Sequence, residues 1–181
     1  GWRMEFFNNE DLKGEATAGF AREIDFKNIN GFKIPEGFNG KSFSVRLRAQ
    51  VVPKTSGIYL LKTMSNDGVR VRVDGKEVIN DWSGHQPRLK DAPIQLEKGT
   101  SYEFVVEYYQ GGGGGSLKFG WDEPGSEEIN ILVEKAKAAD AVLIFTGTTH
   151  GGRIEAREEE MFDRTQYELP ANQMRTVNAV L

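Results

Sequence analysis

The sequence predicts a mainly β fold that gives way, near its end, to a short piece of α/β character. Three observations carry this. Short runs of alternating apolar and polar residues recur through the first two thirds of the chain, each bounded by Gly, Asn, Asp or Pro. Regular short strands of this kind point to a sandwich or a barrel. After Pro124-Gly125 the period changes: a helical pattern, a continuous apolar run, a long charged stretch and a second helical pattern succeed one another.

The strands read off in order. Trp2-Arg-Met-Glu-Phe-Phe7 alternates and carries aromatics, and Asn8-Asn9 and Lys13-Gly14 punctuate the residues after it. Ile24, Phe26, Ile29 and Phe32 are apolar anchors in a loop-rich stretch that ends near Pro35. In 42–52, Phe43, Val45, Leu47 and Ala49 share one face, and Arg46 and Arg48 share the other. Pro53-Lys-Thr-Ser-Gly57 is a turn, and 58–64 is the next strand.

Ser65-Asn-Asp-Gly68 is a strong turn signal, because Asn, Asp and Gly tolerate positive φ. Val69-Arg-Val-Arg-Val73 alternates strictly, and Asp74-Gly75 is a type I′ hairpin dipeptide from which Lys76-Glu-Val-Ile79 returns. The run 89–96 is a weaker strand. Strands at 102–109 and 117–121 flank five consecutive glycines, 111–115, which read as a hairpin tip.

The tail obeys other rules. Ile129, Leu132, Val133 and Ala136 fall on one face of a helix that ends at Ala138-Ala-Asp140. The apolar run 142–145 reads as a strand covered on both faces. The charged stretch 146–170 is a long loop, of the kind that tends to carry function or to be disordered. Met174, Val177 and Leu181 space out as a second helix face. In a parallel α/β layer, ligands sit at the carboxyl ends of strands, where this loop begins.

Composition removes several function classes. The 181 residues allow one or two cored domains, with ordinary apolar and charged content. A net charge of -4 argues against a nucleic-acid partner, and no apolar run approaches membrane-spanning length. With no cysteine there is neither a disulfide nor a thiolate metal site. Gly1 reads as a domain boundary, and no signal-peptide pattern occurs within the chain.

Residues 43–121 resemble a PA14 domain. The features in order are Gly57-Ile-Tyr59, Ser65-Asn-Asp-Gly68, Val73-Asp-Gly-Lys-Glu-Val-Ile-Asn-Asp-Trp82, Glu107-Tyr-Tyr109 and Trp121, with Trp2 to Asn9 as the opening aromatic strand. The resemblance implies a β-barrel or sandwich module, of a kind found in bacterial glycosidases, toxins and yeast adhesins and often engaged with carbohydrate. The tail resembles the C-terminal α/β domain of family 3 glycoside hydrolases. It does so through Ala136-Lys-Ala-Ala-Asp-Ala-Val-Leu-Ile-Phe-Thr-Gly147, Glu158-Glu-Glu160, Phe162-Asp-Arg164 and Leu169-Pro-Ala-Asn-Gln173. Some β-glucosidases of that family carry a PA14 domain inserted there. The implied organisation is a PA14-like β domain at 1–125 and the resuming α/β segment at 126–181, and the implied compartment is periplasmic or extracellular.

The resemblance implies half an active site. A retaining glycosidase needs two carboxylates about 5–5.5 Å apart. The family's nucleophile lies on a separate barrel domain, so this chain alone is expected to be inactive and to partner the rest of its own enzyme. Glu160 aligns with the general acid/base and Glu158 is its rival, with Glu155 and Glu159 behind them; Met161 departs from the glycine common at its place. The plainer reading of 155–160 is a solvated charge run. Asp163 and Arg164 would pair to shape the loop, and His150, beside two glycines, reads as a surface residue.

In the adhesin branch two adjacent aspartates in the Ser65–Gly68 turn hold calcium, which binds sugar hydroxyls. Here the pair is Asn66-Asp67, with one charge instead of two, and a plain tight turn is the alternative. No other cofactor is implied. Asp81, Trp82 and His85 are candidates for a sugar-stacking edge, with Trp82 as a core or rim anchor the bland alternative. The expected ligand is a β-linked oligosaccharide or glucoside. The function is then a β-glucosidase-like hydrolase fragment whose PA14 domain borders the active site. The competing functions are a stand-alone carbohydrate-binding module, calcium-dependent or not, and a spacer or interaction module.

Overall fold

A computed structural model describes residues 1–38, 41–125, 127–144 and 171–180. Among the described residues ten strands form in chain order. They are β1 Trp2–Phe7, β2 Thr17–Ala21, β3 Asp25–Phe26, β4 Phe43–Val51, β5 Gly57–Asn66, β6 Val69–Val73, β7 Lys76–Asp81, β8 Arg88–Leu96, β9 Tyr102–Gln110 and β10 Ser116–Asp122. Two helices come after them, α1 Glu127–Lys137 and α2 Ala171–Val180. The mainly β fold class read from the sequence is the one observed.

The strands form two antiparallel sheets, ordered β2-β1-β4-β9-β6-β7 and β3-β10-β5-β8. Alternation decides which side chains meet between them. On β4, Phe43, Val45 and Leu47 are fully buried, and on β6 so are Val69 and Val71. Phe104, Val106 and Tyr108 of β9 face the same core, which Leu61, Leu117 and Phe119 close from the other sheet. Phe32 ends a 3₁₀ turn at Ile29–Phe32 and stacks on Tyr108, 5.0 Å between ring centroids. The loop-rich anchors Ile24, Phe26 and Phe32 are therefore core residues.

The Asp74-Gly75 hairpin has positive φ at both positions, 48° and 78°, as a type I′ turn requires. β2, like the two-residue β3, is an element that sequence patterning misses. Its small residues Thr17, Gly19 and Ala21 lie opposite Phe6, Met4 and Trp2 of β1, so it is an edge strand with little apolar signal of its own.

The tail holds one correction. The pattern of 142–145 predicts a buried strand. Instead 141–144 has no regular structure, and Val142, Leu143 and Ile144 are exposed, Leu143 to 82%. Phe145 lies outside the described residues. A strand covered on both faces needs hydrogen-bonded neighbours, and among the described residues none pairs with it. α1 packs on α2, and α2 lies against β5 and β8. Among the described residues no helix is long and apolar enough to cross a membrane.

Candidate functional site

Three connections converge at one end of the sandwich: the β5–β6 turn, the β7–β8 loop and the glycine-rich β9–β10 loop. Asp67 ties them together. Its Oδ1 accepts the His85 N–H at 3.2 Å and its Oδ2 accepts the Gly111 N–H at 3.0 Å. The Asn66–Asp67 peptide bond is cis.

Beneath this tie lies a buried polar pair. Tyr108 and Gln110 are both fully buried. The Tyr108 hydroxyl reaches the Asn66 carbonyl and sits 2.7 Å from Gln110 Oε1, while Gln110 Nε2 donates to the Gly112 carbonyl at 2.6 Å. Burial, and then the Asp67 charge, push the Tyr108 phenol above its usual range, so it stays a neutral donor. A β-carbon on Gly115 would fall 2.2 Å from Gln110 Oε1, so the end of the glycine run is fixed by this pair.

The β7–β8 loop is held at its base. Arg88 grips Asp81 with both arms of its guanidinium, Nε lying 2.9 Å from Oδ2. His85 Nε2 lies 3.1 Å from the same Oδ2, and its Nδ1 lies 2.8 Å from the Gln86 carbonyl. Asp81 is therefore a buried anchor of this loop. Trp82 is half-buried, with the Arg70 guanidinium 4.0 Å from its ring centre and Tyr109 set against it at 4.9 Å and 60°. Burial, then the carboxylates Asp67, Glu10 and Asp81, push the Tyr109 phenol up.

Behind Trp82, the outer face of the six-stranded sheet carries a charge row, Glu5–Arg46–Glu107–Arg70, set directly across four strands. Glu107 is almost fully buried at its centre and receives Arg46 at 2.9 Å, Arg70 at 2.9 Å and Arg72 at 2.7 Å. Burial pushes its carboxyl up. The hydrogen bonds from Arg46 and Arg72 and the charges of Arg70 and Arg46 outweigh that and hold it below the usual carboxylate range.

The fold thus brings Asn66, Asp67, Asp81, Trp82 and His85 to one end. Glu155, Glu158, Glu159, Glu160, Asp163, Arg164 and His150 lie outside the described residues. Sequence reasoning misses Tyr109, Arg70 and Glu107 as members of this end. The signal is present, since Arg46, Arg48, Arg70 and Arg72 alternate outward on strands that flank Glu107.

Calcium takes six to eight oxygen ligands, backbone and Asn carbonyls among them. Both Asp67 oxygens already accept backbone N–H groups, Asp81 is neutralised by Arg88, and among the described residues no group of three or more His, Asp or Glu is placed to hold a metal.

The sequence model of the PA14 domain matches residues 1–135. The chain is similar to the anti-sigma-I factor RsgI3 of Acetivibrio thermocellus, 33% identical over 144 residues that cover 79% of this chain and 22% of that protein. It is also similar to a β-glucosidase of Rhizobium radiobacter, 28% identical over 167 residues, covering 82% of this chain and 20% of the enzyme. It spans about a fifth of the length of both relatives. Among solved structures, the β-glucosidase of Kluyveromyces marxianus matches with a TM-score of 0.61 and 22% identity, over 99% of this chain and 23% of that one. A PA14 sugar-binding domain from an RTX adhesin matches with a TM-score of 0.61 and 16% identity, over 70% of this chain and 91% of its own. At those identities the structural matches speak for the fold.

Proposed function

The chain belongs to the PA14 domain family, and on that premise we propose that it is the carbohydrate-facing module of a β-glucosidase-like retaining hydrolase. Residues 1–125 are the module and 126–181 are its return into an α/β host domain. The observation that carries this reading is the reach of the β-glucosidase likeness. The match to the Kluyveromyces enzyme spans 99% of the chain, whereas the match to the adhesin domain spans 70% of it. The exposed apolar run Val142, Leu143 and Ile144 beside α1 and α2 supports a tail that packs against other parts of a larger protein.

In this reading the loop end bearing Asp67, Trp82 and Tyr109 borders the sugar, and Glu160 is the general acid/base, with Glu158 its rival. The nucleophile comes from elsewhere in the enzyme, so the chain alone does not hydrolyse glycosides. The protein acts outside the cytoplasm. In the full-length enzyme, Glu160→Ala cripples hydrolysis of glucosides with poor leaving groups far more than that of activated aryl glucosides. Equal loss on both, or loss with Glu158→Ala instead, removes Glu160 from the role.

The higher identity to the anti-sigma factor supports a second reading, a sugar-recognition module in a regulatory protein. It predicts that the full-length protein hydrolyses no glycoside while the chain still binds glycans.

A further inference from the structure

We propose that Arg70, held by Glu107, is a positioning residue that turns Trp82 into a fixed wall for the sugar. The inference rests on the carbohydrate reading and names what sets the geometry of that site.

The chain of contacts is continuous. Glu107 projects from the central strand β9 and is almost wholly buried. Its Oε2 receives Arg70 at two nitrogens, Nη2 at 2.9 Å and Nε at 3.1 Å. The Nε hydrogen bond and the second close charged contact to the same oxygen hold the guanidinium in position. That group lies 4.0 Å from the centre of the Trp82 ring and closes one face of the indole. The Tyr109 ring packs against the indole at 4.9 Å and 60°. At the backbone, the Trp82 N–H donates to Asn80 Oδ1 at 3.2 Å, so the start of the loop is held too.

In the carbohydrate reading, the exposed part of this half-buried indole meets the apolar C–H face of a pyranose. A tryptophan on a loop would otherwise lose rotamer freedom on binding; a pre-set ring does not. Lysine cannot substitute, because an ammonium has no plane to hold against both a carboxylate and an indole.

The test uses the chain itself with Arg70→Lys and Arg70→Met. Binding of cellotriose, laminaritriose and gentiotriose is read by calorimetry. Mobility of Trp82 is read by acrylamide quenching of its fluorescence, isolated by subtracting the Trp82→Phe signal. Both variants are expected to raise Trp82 quenching and to weaken the bound trisaccharide by about three- to tenfold. Arg70→Lys keeps the charge on Glu107 and so keeps the fold; if Arg70→Met unfolds, the lysine variant decides. Unchanged quenching, or raised quenching with unchanged affinity, overturns the inference. If the wild-type chain binds none of the three sugars, the carbohydrate reading fails, and the quenching arm alone judges the hold of Arg70 on Trp82.

Discussion

Asp67 Oδ2 accepts the Gly111 N–H at 3.0 Å across 44 residues of sequence. One carboxylate thereby pins the glycine-rich loop to the β5–β6 turn, and through His85 it pins the β7–β8 loop as well. The candidate site is three loops tied at one acid.

Asp67→Ala should therefore loosen both loops at once. Hydrogen bonds to a charged group contribute about 1–3 kcal/mol, and part of this is solvent-screened here. The expected outcome is a stability loss of about 1–2 kcal/mol, with faster amide exchange at His85 and Gly111 and none at the β1–β4 ladder. Exchange that rises uniformly across both sheets would contradict the tie.

Glu107→Ala leaves Arg46, Arg70 and Arg72 around an empty centre, and breaking a buried pair this way costs about 3–5 kcal/mol. The wild-type contribution depends on pH. Because the folded carboxyl is held below the ordinary glutamate value of about 4.3, its stabilisation is fully present above that value. It is lost as pH falls through the depressed folded value. Urea titrations from pH 7 to pH 3 should show a steeper acid decline in the wild type than in Glu107→Gln; parallel declines would remove Glu107 as the cause.

Gly114 and Gly115 are neighbours in one flexible-looking run, yet they should respond differently to alanine. A β-carbon on Gly114 meets nothing within 4 Å, whereas one on Gly115 falls 2.2 Å from Gln110 Oε1 and 2.6 Å from the Tyr108 hydroxyl. Gly115→Ala should lower stability by about 1–3 kcal/mol and Gly114→Ala by less than about 0.5 kcal/mol, read by chemical denaturation. Equal effects would mean the loop is not gripped by the buried pair.

Calcium should be irrelevant. With Asp67 occupied by backbone donors and Asp81 by Arg88, chelation is expected to leave the melting temperature and any glycan affinity unchanged. A melting temperature that rises with added calcium would show that the loops reorganise to bind it.

Much of the fold was legible. Phe43, Val45 and Leu47 alternate with Arg46 and Arg48, and the sheet reads them as core and outer face, because a pleated strand has a side-chain period of two. Asp74-Gly75 announced its hairpin through the positive φ that only such residues adopt cheaply. β2 stayed hidden, since Thr17, Gly19 and Ala21 are too small to mark a face and are placed by the aromatics of β1. The run 142–144 carried a buried-strand pattern, but pattern records only what a segment would bury.

The sequence by itself determined the mainly β class, its turns and the family, because periodicity and turn chemistry are local. It also named Asn66, Asp67, Asp81, Trp82 and His85. Only the tertiary structure decided their roles. It spent Asp67 on two amides, neutralised Asp81 with Arg88, and set Arg70 against Trp82 through Glu107, a residue 37 positions away. Such roles depend on which partner reaches a polar group first once the strands pair, and strand pairing joins residues that the linear order keeps apart.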